Sequence, residues 1–97
     1  MNDELVNIAL NNNRALERFE LEVDGYIAFI TYEEQGGVLK LLHTESPQEL
    51  AGRGVGSALV EKTLNYIKEH NLKLQPLCPF VHAYIKRNPE WQTYVVS

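Results

Sequence analysis

Leu50-Ala51-Gly52-Arg53-Gly54-Val55-Gly56-Ser57 is the stretch on which the fold turns. Its three glycines at alternate positions let the backbone bend tightly and leave successive N–H groups exposed where a helix begins. Those groups, with the positive end of the helix dipole, make a site for phosphate. Arg53 adds a charge and Ser57 a hydroxyl. A flexible turn, with glycine present for conformational freedom alone, is the plainer account of the same residues. The stretch is not a Walker loop, because no Gly-Lys-Ser/Thr follows. Nor is it the dinucleotide fingerprint, because the spacing is Gly-x-Gly-x-Gly and the sheet before it reads as antiparallel.

Downstream, Val55, Leu59, Val60, Thr63, Leu64 and Ile67 recur at spacings of three and four, which predicts a helix from about Gly54 to His70. Lys68 and His70 suit its last turn, and Asn71 suits a left-handed cap. Leu72 to Leu77 reads as a strand, and Pro79 to Asn88 as a short helix with proline in its first turn. Strand, helix and strand on this scale imply a right-handed parallel crossover.

Upstream, the period is two. Phe19, Leu21 and Val23 alternate with Arg18, Glu20 and Glu22, so Glu17 to Val23 reads as a half-buried strand with one wet face. Asp24-Gly25 is a two-residue hairpin turn. Tyr26 to Tyr32 returns as the second strand, Glu33 to Gly37 closes another hairpin, and Val38 to Glu45 is the third strand. Residues before Asn13 supply a further short edge strand. The sum is an α/β fold of the mixed-sheet, α+β kind: an antiparallel meander, then helix, parallel strand and short helix.

The chain of 97 residues holds one domain, spanning 1–97. Thirteen acidic against nine basic residues, a formal charge of −4, argue against a nucleic-acid binder with a broad basic face. A single cysteine, Cys78, excludes an intrachain disulfide, and with three histidines no metal site is expected. No apolar run approaches the roughly 20 residues that span a bilayer. The acidic start MNDELVNIAL lacks the bases of a secretory signal, so a cytoplasmic location is the expectation. An exposed antiparallel edge allows a monomer or a weak dimer.

The strand–Gly52-Arg53-Gly54-Val55-Gly56–helix arrangement behind a meander resembles the pyrophosphate loop of the GNAT superfamily of N-acetyltransferases. The usual pattern there, Gln/Arg-x-x-Gly-x-Gly/Ala, maps onto Ala51 to Gly56, with Ala51 where Gln or Arg normally stands. Leu42-His43-Thr44-Glu45, Leu77-Cys78-Pro79-Phe80-Val81, Tyr84 and Asn88-Pro89-Glu90-Trp91 extend the similarity from roughly Phe19 to Val95. The set resembles a minimal, single-domain GNAT subgroup. The resemblance implies a GNAT-like acyl-CoA N-acyltransferase fold, acetyl-CoA as co-substrate, and an amine acceptor, either a small amine or a protein lysine or N-terminus. It also implies coenzyme contacts at Thr44, Gly52, Arg53, Gly54, Val55, Gly56, Ser57, Pro79 and Lys86, and catalytic roles for Cys78, His43 and Tyr84.

In such folds two parallel strands splay and the pantetheine arm lies between them. Pro76 inside the later strand has no N–H to complete a ladder, and Ser46-Pro47 stops the earlier one. Strand ends separated in this way leave backbone groups that an amide-rich arm satisfies. A plain strand end with a proline edge is the simpler alternative.

Cys78 precedes Pro79, at the expected N-cap of the short helix, where a thiol pKa falls; a neighbouring protonated His43 would lower it further. It then accepts the acetyl group as a thioester or lines the acetyl pocket; otherwise it is a small buried hydrophobe. His43 shares the parity of Leu39 and Leu41, so it is either a core histidine or a general base for the acceptor amine, which is mostly protonated at neutrality. Glu45 is an alternative base or a solvated strand-end acid. Tyr84 either protonates the departing coenzyme thiolate or packs with Val81 and Ile85. Lys86 and Arg87 meet the coenzyme's 3′-phosphate or are exposed charges near a helix end. Trp91 and Tyr94 are expected to pack the C-terminal segment on the sheet. An acyltransferase is the leading expectation; a non-catalytic CoA-binding module and a partner-binding adaptor are the alternatives.

Overall fold

Two tight turns set the register of the meander. In the computed structural model, which describes residues 3–96, Asp24 and Gly25 take φ of 52° and 82°. Both are left-handed, so they join β2 (Arg18–Val23) to β3 (Tyr26–Gln35) with Val23 opposite Tyr26. Gly36 and Gly37, at φ of 58° and 81°, turn β3 into β4 (Val38–Glu45). That second turn is shorter than the sequence suggests. The glycine pair suffices, and Glu33 and Glu34 stay in the ladder opposite Lys40 and Leu39.

The short edge strand β1 (Asn11–Asn13) pairs antiparallel with β2, giving the sheet order β1-β2-β3-β4-β5. A four-residue helix α1 (Asp3–Val6) comes before it, and a 3-10 turn at Gln48–Leu50 leads from β4 to the glycine segment. Helix α2 (Val55–Glu69) buries the expected stripe, including Val55, Leu59, Val60, Thr63, Leu64 and Ile67. Asn71, at φ 55°, ends it: Leu72 N–H donates to Ile67 C=O and Asn71 N–H to Lys68 C=O. This is the paired closure by which a left-handed residue satisfies the last carbonyls.

Strand β5 (Lys73–Pro76) lies parallel to β4, Val38 to Leu41 matching Lys73 to Pro76. Helix α3 (Pro79–Arg87) and a 3-10 turn at Pro89–Tyr94 complete the fold. Val95 bridges to Leu74 on the other side of β5, and Trp91 and Tyr94 pack against the core as expected.

One face of the sheet carries the core. Phe19, Leu21, Ala28, Ile30, Leu39, Leu41 and Leu74 are essentially fully buried beneath the helices. Truncating the larger of these to Ala typically costs about 2–5 kcal/mol. The opposite face carries Arg18, Glu22, Ile27, Phe29, Thr31, Lys40, His43 and Glu45, none of them buried. Glu20 is the exception on the face expected to be wet. It is 8% exposed, and its carboxylate accepts from Asn11 Nδ2, Asn13 Nδ2 and Arg18 Nε. Burial pushes this carboxyl up, but those donors outweigh it and hold it below its ordinary value. The asparagines of β1 thus fasten an edge strand that has almost no apolar content.

Candidate active site

The site forms where β4 outruns β5. The parallel ladder stops at Pro76, although Cys78 N–H still donates to Leu41 C=O at 2.9 Å. From Leu42 to Glu45, β4 pairs only with β3 among the described residues. The edge facing Cys78 is therefore a gap in the parallel ladder, as the two prolines led one to expect.

A bulge decides which side chains enter the gap. Thr31 lies opposite His43, but Tyr32 lies opposite Leu41, so Leu42 is an extra residue on β4. The inserted residue inverts the alternation. Thr44, opposite the buried Ile30, turns to the helix-covered face, and its Oγ1 lies 3.2 Å from Cys78 Sγ. His43 turns to the uncovered face, 62% exposed, with Nε2 4.0 Å from Glu45 Oε1. The imidazole expected beside the thiol, in step with Leu39 and Leu41, is thus across the strand from it. Thr44 is the thiol's partner instead.

Cys78 occupies the N-cap of α3, with extended backbone (φ −76°, ψ 126°) and Pro79 at the first helical position. It is 3% exposed. Burial alone pushes its thiol up. Thr44 Oγ1 and the backbone groups of Val81, Phe80 and Thr44 more than compensate, and the thiol is lowered from its ordinary 9.0.

The glycine segment lies at the start of α2. Gly52 and Gly54 have φ of 78° and 73°, and Gly54 is the left-handed N-cap. No side chain caps this helix and no acid stands in its first turn, so the leading N–H groups of Val55, Gly56 and Ser57 carry the positive dipole end without a side-chain acceptor. Val55 is buried and Ser57 exposed. A Cβ on Gly56 would come 3.0 Å from Phe80 Cζ, so the first turns of α2 and α3 meet there. These features fit a diphosphate on the N–H groups and an amide-rich arm along the β4 edge.

Arg53 makes ion pairs within the chain. Its guanidinium pairs with Glu4, and with Asp24 Oδ2 at 2.8 Å, tying the glycine segment to α1 and to the first hairpin. Its charge is already compensated. Lys86 is exposed in the last turn of α3. It lines a cavity with His82, Pro76, Ile85, Gln92 and Val95. Residues 82 and 86 lie on the side of α3 away from 80 and 84, because four residues make one turn and two reverse the direction. Tyr84 is half-buried; burial first, then Glu61 and Glu90, pushes its phenol up, so it keeps its proton.

Thr44 and Phe80 were not foreseen in these contacts. The available signal was that Cys78 and Phe80 flank a proline helix start while Gly56 occupies the matching turn of the other helix. Among the described residues no cluster of three or more His, Cys, Asp or Glu is arranged for a metal, and no helix is long and apolar enough to cross a membrane.

The comparisons agree with this fold. Residues 18–94 match the family described as GCN5-related N-acetyl-transferase. The chain belongs to that family, whose members ordinarily use acetyl-CoA. Among curated relatives, Protein NATD1 of Mus musculus and of Homo sapiens are each 31% identical over 85 residues. That stretch is 84% of this chain, and 77% and 75% of theirs. The solution structure of a candidate GCN5-like N-acetyltransferase from Staphylococcus aureus superposes with a TM-score of 0.69 at 24% identity, covering 95% of this chain and 91% of that one.

Proposed function

We propose that this chain is an acetyl-CoA-dependent N-acetyltransferase that passes the acetyl group through Cys78 to an amine. The observation carrying the proposal is a buried, hydrogen-bonded thiol at the start of α3, in the gap beside β4 and next to the uncapped start of α2. Bound acetyl-CoA would supply the acetyl group already activated as a thioester.

The N–H groups of Val55, Gly56 and Ser57 hold the diphosphate, with Gly52 and Gly54 giving the bend. Pro79 fixes the turn that presents the sulfur, and Thr44 Oγ1 donates to the thiolate. The thiolate attacks the acetyl carbonyl; a C–S bond forms at Sγ as the coenzyme's C–S bond breaks. Tyr84, which retains its proton, is the acid for the departing thiolate. The amine arrives from the uncovered face, loses one proton to His43 and attacks the acetyl-cysteine; the C–S bond breaks to restore the thiolate, the second N–H proton leaves to solvent, and Tyr84 is reprotonated from solvent.

Mixing the protein with acetyl-CoA, quenching in acid and mapping the Cys78 peptide by mass tests this directly. An acetyl group on Cys78 that disappears when an amine is added is the expected result. Turnover undiminished in Cys78→Ala would overturn the covalent route, and coenzyme binding without release of free coenzyme for any amine would favour a non-catalytic binding module.

A further inference from the structure

We infer that the uncovered face of the sheet carries the acceptor subsite, a shallow groove that takes the side chain of a lysine displayed on a protein segment. This rests on the acetyltransferase reading above.

The groove is lined by Ile27, Phe29, Glu45, Ser46 and Pro47. Ile27 and Phe29 are successive side chains on that face of β3, and Phe29 stands opposite Glu45 in the register. The floor is therefore apolar and a carboxylate marks one rim. A four-carbon chain ending in an ammonium has the complementary pattern.

The neighbouring charges leave Glu45 to an incoming cation. Arg18 stands over the Phe29 ring at 4.3 Å, but its Nε is 2.5 Å from Glu20, which Asn11 and Asn13 also bind. Lys40 lies further along the strand, opposite Glu33, and Glu22 lies opposite Ile27. His43 Nε2 lies 4.0 Å from Glu45 Oε1.

Size decides between a small molecule and part of a larger one. The groove holds about 170 Å³, below the roughly 300–1,000 Å³ of sites that enclose a whole small ligand. One side chain fits, with its main chain resting on the flat sheet outside. The position also suits transfer. His43 and Glu45 share the uncovered face while Thr44, between them, faces Cys78. An ammonium held by Glu45 has an imidazole beside it, and the gap beyond Leu41 leads to the thiol.

The test uses the full chain, labelled for NMR, and a short peptide carrying one lysine. Its controls are the same peptide with norleucine in that place, and free butylamine. The lysine peptide should shift the amides of Ile27, Phe29, Glu45 and Ser46, and the controls at equal concentration should not. Glu45→Gln, at an exposed site, should weaken the lysine peptide about tenfold, and Ile27→Ser by a smaller factor. Equal shifts from the norleucine peptide, shifts confined elsewhere, or an unchanged affinity in Glu45→Gln overturn the groove. Butylamine binding as tightly as the peptide overturns the protein segment as occupant. A titration with acetyl-CoA is read separately. Absent coenzyme binding removes the transferase reading whatever the peptide does, whereas coenzyme binding without peptide shifts removes the groove alone.

Discussion

Helices α2 and α3 begin in similar ways, yet their first N–H groups face different things. At α2 a left-handed glycine stands at the cap, no acid follows, and the amides have no acceptor from a side chain. At α3 the cap is Cys78, and the amides of Phe80 and Val81 bear on its own sulfur. On the proposed function, the first start receives an anion from outside and the second stabilises one the chain makes itself. The same dipole physics would then give binding in one place and activation in the other.

The difference can be broken most severely at Gly54. Its φ of 73° disfavours any side chain, and Gly54→Glu adds a carboxylate where a diphosphate is expected. Calorimetry should show coenzyme affinity falling at least about a hundredfold, with Gly54→Asn much milder. Cys78→Ala should act on the other helix alone. Coenzyme affinity should stay within about twofold while transfer is lost, and stability should fall by about 1 kcal/mol.

Acidity of the thiol gives a finer cut. Thr44→Val removes one hydrogen bond to Sγ, so the pH midpoint of iodoacetamide alkylation should move upward. The folded thiol titrates below its ordinary 9.0, so between those two values the unfolded chain binds more protons. Stability should therefore rise with pH across that window and be lost as pH falls through the folded value. Urea titrations at several pH values should show this slope in the wild type and not in Cys78→Ala.

The smallest effect belongs to the contact joining the two helix starts. Gly56→Ala would place a methyl 3.0 Å from the tip of the Phe80 ring, which is 41% exposed and free to give. A loss below about 1 kcal/mol is expected in thermal unfolding, and it should vanish in a Phe80→Ala background.

Much of this fold was legible because its signals are local. Asp24-Gly25 and Gly36-Gly37 turn as their chemistry demands, and the three-and-four spacing from Val55 to Ile67 places the long helix almost to the residue. The segment from Cys78 to Asn88 reads correctly for the same reason. What the sequence concealed depends on residues far apart. The bulge at Leu42 arises from pairing with β3, and nothing in Leu41-Leu42-His43 announces it, so His43 was expected on the face that Thr44 takes. Arg53 meets Glu4 and Asp24, 49 and 29 positions away by their numbers, beyond any local pattern.

The double ion pair of Arg53 has a practical consequence for anyone handling the protein. It makes the bend before α2 answer to the first turn of the chain and to a distant hairpin tip. A purification tag fused ahead of Glu4, or buffer ionic strength high enough to screen exposed carboxylates, would then be felt at the glycine segment. Apparent affinities measured on differently tagged preparations would disagree without any residue near the ligand having changed.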